Sequence, residues 1–261
     1  MKNRPFRFLF TLGIAFFVVG YLSIDQVFLD KNDTFCEGNS TKLDVPFKRL
    51  ILFLEDGARP DFLFGNSVYR SWKPYFTDLL KKDPHHTICT TMQVDPPTST
   101  TQGVKTFLTG GVPGFIELGQ TFYASTIVHT GDPVWRELAG DVFSTPDNPI
   151  DSFNVYHDDS EAIQRELELF LSENCTADVL IVHSLLADHN AHKSDTSSPA
   201  HPAIHAALLQ LNRHLQYITT HLPNDTLLFV FGDHGLSSKG NHGGATLEET
   251  TTGLDSHTFE I

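Results

Sequence analysis

Cysteine is scarce. There are 3 in 261 residues, too few for a disulfide framework, and the odd number leaves at least one thiol free or paired between chains. Basic side chains are short as well: 18 Lys and Arg stand against 32 Asp and Glu, a formal charge of -14. So acidic a balance excludes a nucleic-acid-binding surface, because a phosphate backbone requires a basic one. It excludes nothing about metal ions, which carboxylates favour. No internal repeat is visible. What is present is enough apolar material for a core. Hydrophobic residues make up 40% and aromatics 11%, which excludes global disorder and suits one sizeable α/β domain or two small ones.

A single run could cross a bilayer. Lys2, Arg4 and Arg7 precede an uncharged stretch from Phe8 to Ile24 that Asp25 ends. It sits at the short end of a spanning length, and no clear small-x-small cleavage site follows it. The reading is a signal anchor over residues 1–29, with its positive end cytosolic and the rest lumenal. A cleaved signal and a buried helix are the alternatives. Residues 30–46 read as a polar linker, and residues 47–261 as the lumenal domain. Asn32, Asn39, Asn174 and Asn224 open glycosylation triplets consistent with that address.

Along the domain, Leu50–Leu54, Ile88–Val94, Val179–Leu186 and Leu227–Phe231 read as strands. Trp72–Leu80, Thr98–Leu108, Glu161–Leu171 and Ile204–Leu222 read as helices. Phe62–Tyr69 is a loop, and Phe115–Phe122 a short helix or loop. The polar segment Leu247–Ile261 shows no closing element. The fold class is therefore α/β, a mostly parallel central sheet flanked by helices.

Three apolar strands run into carboxylates: Asp56, Asp188 and Asp233. In such sheets ligands sit beyond the carboxyl ends of the strands, so these acids converge. Asp188 and His192, four apart, share one helical face. His189 points elsewhere. His234 follows Asp233, and glycines fold His242 back to the same rim. Carboxylates with imidazoles suit zinc, with manganese second. Asp56, Asp188, His192, Asp233, His234 and His242 suffice for two ions about 4 Å apart, an arrangement that clamps attacking and leaving oxygens at phosphorus. Ordinary solvent-boundary acids are the bland alternative. A nucleophile is available in Thr98-Ser99-Thr100-Thr101 at a helix start, where free N–H groups hold phosphate. Position alone does not choose between Thr98 and Thr101, and an ordinary helix cap is the bland reading.

These motifs resemble those of the glycosylphosphatidylinositol (GPI) ethanolamine phosphate transferases of the alkaline phosphatase superfamily. The resemblance is carried by Leu54-Glu55-Asp56-Gly57-Ala58-Arg59-Pro60-Asp61, Asp95-Pro96-Pro97-Thr98, Asp188-His189-Asn190-Ala191-His192, Gly232-Asp233-His234-Gly235 and Asn241-His242-Gly243-Gly244, in the family's order. The chain looks most like the branch acting on the third mannose. The resemblance implies Thr98 as nucleophile. It implies Asp56, Asp233 and His234 as ligands of one metal, and Asp188, His192 and His242 as ligands of the other. Phosphatidylethanolamine would be the donor, and a mannose 6-hydroxyl of the GPI precursor the acceptor. The implied setting is the endoplasmic reticulum membrane, single-pass, with a small membrane-protein subunit as partner. The same residues would also serve a phosphodiesterase or phosphatase. Only His129 and Thr130 stand where the family has a further helix and strand, and the chain stops soon after His242. The expectation is accordingly an incomplete domain with a gap in its sheet, or an inactive lumenal fragment.

Overall fold

The computed structural model describes residues 47–64, 72–109, 126–139, 143, 154, 156 and 158–258. In chain order the elements are β1 (Arg49–Glu55), α1 (Pro60–Leu63), α2 (Tyr75–Lys82), β2 (Thr87–Gln93), α3 (Thr100–Thr109), β3 (Ile127–Gly131) and α4 (Val134–Ala139). They continue as α5 (Ser160–Phe170), β4 (Val179–Ser184), α6 (Leu186–Ser194), α7 (Pro202–His221), β5 (Thr226–Phe231), α8 (Leu247–Thr250) and β6 (Thr251–His257). The six strands form one sheet in the order β2-β6-β5-β1-β4-β3.

β1 lies between β5 and β4, parallel to both. Its run Leu-Ile-Leu-Phe-Leu has no alternation because both of its faces are covered. Ile51 and Phe53 enter one core with Leu180, Val182, Leu228 and Val230, under α1, α2, α5, α6 and α7. Leu52 and Leu54 enter the other, with Val179, Ile181 and Phe231, under α3 and α4. α7 buries the stripe Ile204, Leu208, Leu211, Leu215 and Ile218, each worth about 1.5–3 kcal/mol when removed from water. Pro202 starts this helix, where a missing N–H costs nothing. Pro223 lies just beyond its end and disfavours a further helical turn at Leu222.

The mostly parallel sheet expected from the strand–helix alternation is corrected to a mixed one. β6 runs antiparallel to both β5 and β2. The segment Thr-Thr-Gly-Leu-Asp-Ser-His lacks the apolar pattern of a strand, yet Thr252, Gly253, Asp255 and His257 are buried. Its place between two strands, not its hydrophobicity, makes it a strand. Among the described residues the expected gap is not seen, since Ile127–Gly131 pairs directly with Val179–His183.

Among the described residues no helix is long and apolar enough to cross a membrane. The expected anchor at residues 8–24 and the linker lie outside the described residues, as do Cys36, Asn32, Asn39 and Phe115–Phe122. The expected single-pass membrane anchoring and endoplasmic reticulum membrane placement therefore have no transmembrane helix behind them among the described residues. Cys89 and Cys175 are free thiols. Asn174 and Asn224 are exposed in turns.

Candidate metal centre

Topology gathers the site at one rim. β1, β4 and β5 end side by side, with Glu55 opposite Ser184 and Leu54 opposite Phe231. Asp56, the start of α6 and Asp233 therefore emerge together. β2 is antiparallel to β6, which is antiparallel to β5, so β2 also ends at this rim and delivers residues 94–100 there. The excursion between β5 and β6 leaves and re-enters at the same edge, which is why His242 returns.

Two groups of side chains bring ligand atoms within 4.8 Å of one another: Asp56, Asp233 and His234, and Asp188, His192 and His242. All six ligands expected from the sequence are thus assembled, in the two sets expected. In the first set Asp56 Oδ1, Asp233 Oδ2 and His234 Nε2 are buried without a hydrogen-bond partner. These are the atoms that converge: His234 Nε2 lies 3.4 Å from Asp56 Oδ1 and 3.3 Å from Asp233 Oδ2. The other polar atom of each residue is engaged. The Gly57 N–H donates to Asp233 Oδ1 at 3.1 Å, and His234 Nδ1 lies 3.0 Å from the Gly235 carbonyl, which fixes its proton there. Buried polar atoms without partners are costly, and a divalent cation would satisfy all three. The residues present fit such an ion.

The second set is more open. His192 Nε2 approaches Asp188 Oδ2 at 3.3 Å, and His242 Nε2 approaches Asp188 Oδ1 at 3.7 Å. His242 Nδ1 donates to the Thr98 carbonyl at 2.7 Å, leaving Nε2 with a lone pair for a metal. Burial, then the charges of Asp233 and Asp188, holds the Asp56 carboxyl well above the usual range. Burial also pushes Asp188 up, but its hydrogen bond to His192 and the neighbouring imidazoles outweigh it, and the net shift is downward. The same hydrogen bond raises His192.

A cavity of about 380 Å³ opens over both sets, lined by Asp56, Thr100, Asp132, Asp188, His192 and His242 among others. His189, expected on another face, is buried at its wall. Thr98 is not among its lining residues. The Thr98 hydroxyl donates to the Gly244 carbonyl at 3.2 Å and accepts from the Gly243 N–H at 2.9 Å. The Thr100 hydroxyl instead donates to Asp56 Oδ2 at 3.2 Å. Gly103 permits this placement of α3, because a Cβ there would stand 2.6 Å from the Asp233 carbonyl oxygen. The sequence reading held Thr100 only as a member of the Thr98–Thr101 stretch and weighed Thr98 against Thr101. It gave no role to Trp135 or His183. Lys105, further along α3, is buried.

The chain is 32% identical over 291 residues to the GPI ethanolamine phosphate transferase 3 catalytic subunit of Mus musculus, a match covering 95% of this chain and 26% of that one. It is 32% identical over 233 residues to GPI ethanolamine phosphate transferase 3 of Schizosaccharomyces pombe, covering 80% and 25%. Among solved structures it resembles the C-terminal periplasmic domain of phosphoethanolamine transferase EptC from Campylobacter jejuni. That TM-score is 0.54 at 15% identity, over 80% of this chain and 79% of that chain, a likeness of fold. No family model matches. The chain spans about a quarter of the length of the curated relatives it matches.

Proposed function

The chain belongs to the GPI ethanolamine phosphate transferase 3-like family, with the alkaline phosphatase superfamily fold, and on that premise we propose that its rim carries out metal-dependent phosphoethanolamine transfer. The donor is phosphatidylethanolamine and the acceptor a mannose hydroxyl of a GPI precursor. The observation that supports this best is the convergence of three unpartnered ligand atoms beside a hydroxyl hydrogen-bonded to one of the same carboxylates.

Asp56, Asp233 and His234 would hold one divalent ion, and Asp188, His192 and His242 the other. Zinc suits these ligands, with manganese second. Ions bound there would favour the deprotonated hydroxyl and screen the non-bridging phosphoryl oxygens. Thr100 is the better nucleophile on geometry, since the Thr98 hydroxyl is committed to residues 243 and 244. Thr100 Oγ bonds to phosphorus as the bond to the diacylglycerol oxygen breaks, and that oxygen takes up a proton. The mannose hydroxyl then bonds to phosphorus, and Thr100 Oγ leaves and regains its proton. Asp56 Oδ2 already accepts the Thr100 hydroxyl proton and stands where that proton can move. The N-terminus of α3 favours the anionic group.

The test incubates zinc-loaded chain with phosphatidylethanolamine labelled in its headgroup and follows label on protein. Wild type and Thr98→Ala retain label, and Thr100→Ala does not. Label on Thr100→Ala moves the nucleophile elsewhere. Partition of product between an added mannoside and water separates a transferase from a phosphodiesterase.

A further inference from the structure

Behind Asp56 lies a fully buried pair of rings. The Trp135 indole Nε1–H sits 3.0 Å from His183 Nδ1, and His183 Nε2 sits 3.2 Å from Asp56 Oδ2. Trp135 and His183 are both 0% exposed. An indole N–H only donates, so Nδ1 must accept and carries no proton. The proton of the neutral ring is then on Nε2, which donates to Asp56 Oδ2. That oxygen thus receives two donors, His183 Nε2–H and the Thr100 hydroxyl. Asp56 Oδ1 receives none, and it is the oxygen turned towards His234 Nε2.

The fold brings Trp135 there by a closed local circuit. Gly131 pairs with His183 in the parallel ladder, and the Asp132 N–H donates to the His183 carbonyl at 3.2 Å. Asp132 Oδ1 then accepts the Val134 N–H at the start of α4, the helix that carries Trp135. Gly131 has φ +110, and a Cβ there would stand 1.9 Å from the His183 carbonyl oxygen, so only glycine makes this corner.

We propose that Trp135 and His183 form a positioning relay, which fixes the His183 tautomer and so selects the Asp56 oxygen offered to a cation and the one facing Thr100. The cation part stands on the geometry alone; the Thr100 part rests on the proposed transferase reading. Neither ring touches the phosphoryl group. An outer partner of this kind is worth roughly 10–100-fold in metal affinity.

The experiment uses the full chain carrying Asp188→Asn, so that zinc titration against a competing chelator reports the Asp56 set. Adding His183→Leu weakens zinc about 10–100-fold, whereas His183→Gln, which keeps an N–H donor, recovers most of the loss. Histidine ¹⁵N spectra of the metal-free parent show His183 protonated at Nε2 only, and Trp135→Phe yields a mixture of tautomers. A proton on Nδ1 in the parent overturns the relay, as does undiminished zinc affinity in His183→Leu. If His183→Leu does not fold, Trp135→Phe decides: an unchanged tautomer with unchanged affinity overturns it. Loss of labelling without any change in these readouts would instead count against the transferase reading.

Discussion

The rings of His234 and His242 stack with centroids 3.8 Å apart and planes 17° from parallel. One belongs to each ligand set, so the two sets share a wall. Burial and the neighbouring His234 charge lower His242. Burial also opposes the charge on His234, but the carboxylates of Asp233, Asp56 and Asp188 together outweigh it, and His234 is raised.

Protons should therefore compete with metal below neutrality. His192 and His234 are both raised, and each must lose its proton to serve as a ligand. Zinc titrations at successive pH values from 8 to 6 should show affinity falling at both sets as the pH drops through the raised histidine values. Affinity constant over that range would show that these rings are not ligands.

Gly103→Ala should damage the first set from a distance. Its Cβ would fall 2.6 Å from the Asp233 carbonyl oxygen and 2.8 Å from the Asp233 Cβ. Overpacking of this kind costs about 1–3 kcal/mol, and shifting Asp233 should weaken one zinc site and spare the other. Urea unfolding and zinc stoichiometry check both, and wild-type values in each would show that α3 is not held against Asp233.

Glu249 closes a capping box with Thr246 and accepts the Gly244 N–H at 3.1 Å. Glu249→Ala should cost about 1 kcal/mol as a lost helix cap. It should also loosen the 242–244 turn that Thr98 clamps. The zinc set containing His242 should weaken while the Asp56 set holds. Equal weakening of both would assign Glu249 a general structural role.

Asp255 is buried within β6 and its carboxyl is pushed up to about 8 by burial. The native state therefore keeps a proton that the unfolded chain releases above its ordinary value of 3.8. The sign follows: this group leaves stability untouched below about pH 4 and lowers it progressively as the pH rises to about 8. Asp255→Asn should flatten that decline, seen as a smaller loss of urea midpoint between pH 5 and pH 8. An unaltered pH dependence would show that Asp255 ionises freely in the native state.

Much of this architecture was legible because it depends on local pattern. The apolar runs at Leu50–Leu54, Val179–Leu186 and Leu227–Phe231 are β1, β4 with the first residue of α6, and β5. Their terminal acids meet because parallel strands share a rim. The stripe from Ile204 to Ile218 is α7. β6 was not legible, since its buried residues are Thr252, Asp255 and His257, and nothing local marks them as interior. Its absence from the reading made the sheet look parallel. It also hid the reason His242 returns, which the sequence attributed to glycines alone. The choice among hydroxyls was hidden for a related reason. Thr98 and Thr100 are chemically alike, and only contacts made far along the chain, at Gly243 and at Asp56, tell them apart. Trp135 and His183 belong to no catalytic pattern, and their meeting depends on register between β3 and β4.

The order of strands also has a kinetic consequence. β2 joins the sheet through β6, and Thr87 hydrogen-bonds to His257 across 170 residues of chain. During synthesis the motifs around Asp56, Thr100, Asp188 and Asp233 all leave the ribosome before the strand that holds β2 in place. Closing so long a loop is slow, and until it closes β2 exposes an unpaired edge open to aggregation. The placing of Thr100 is thus a late event in the life of a nascent chain, timed by the emergence of His257.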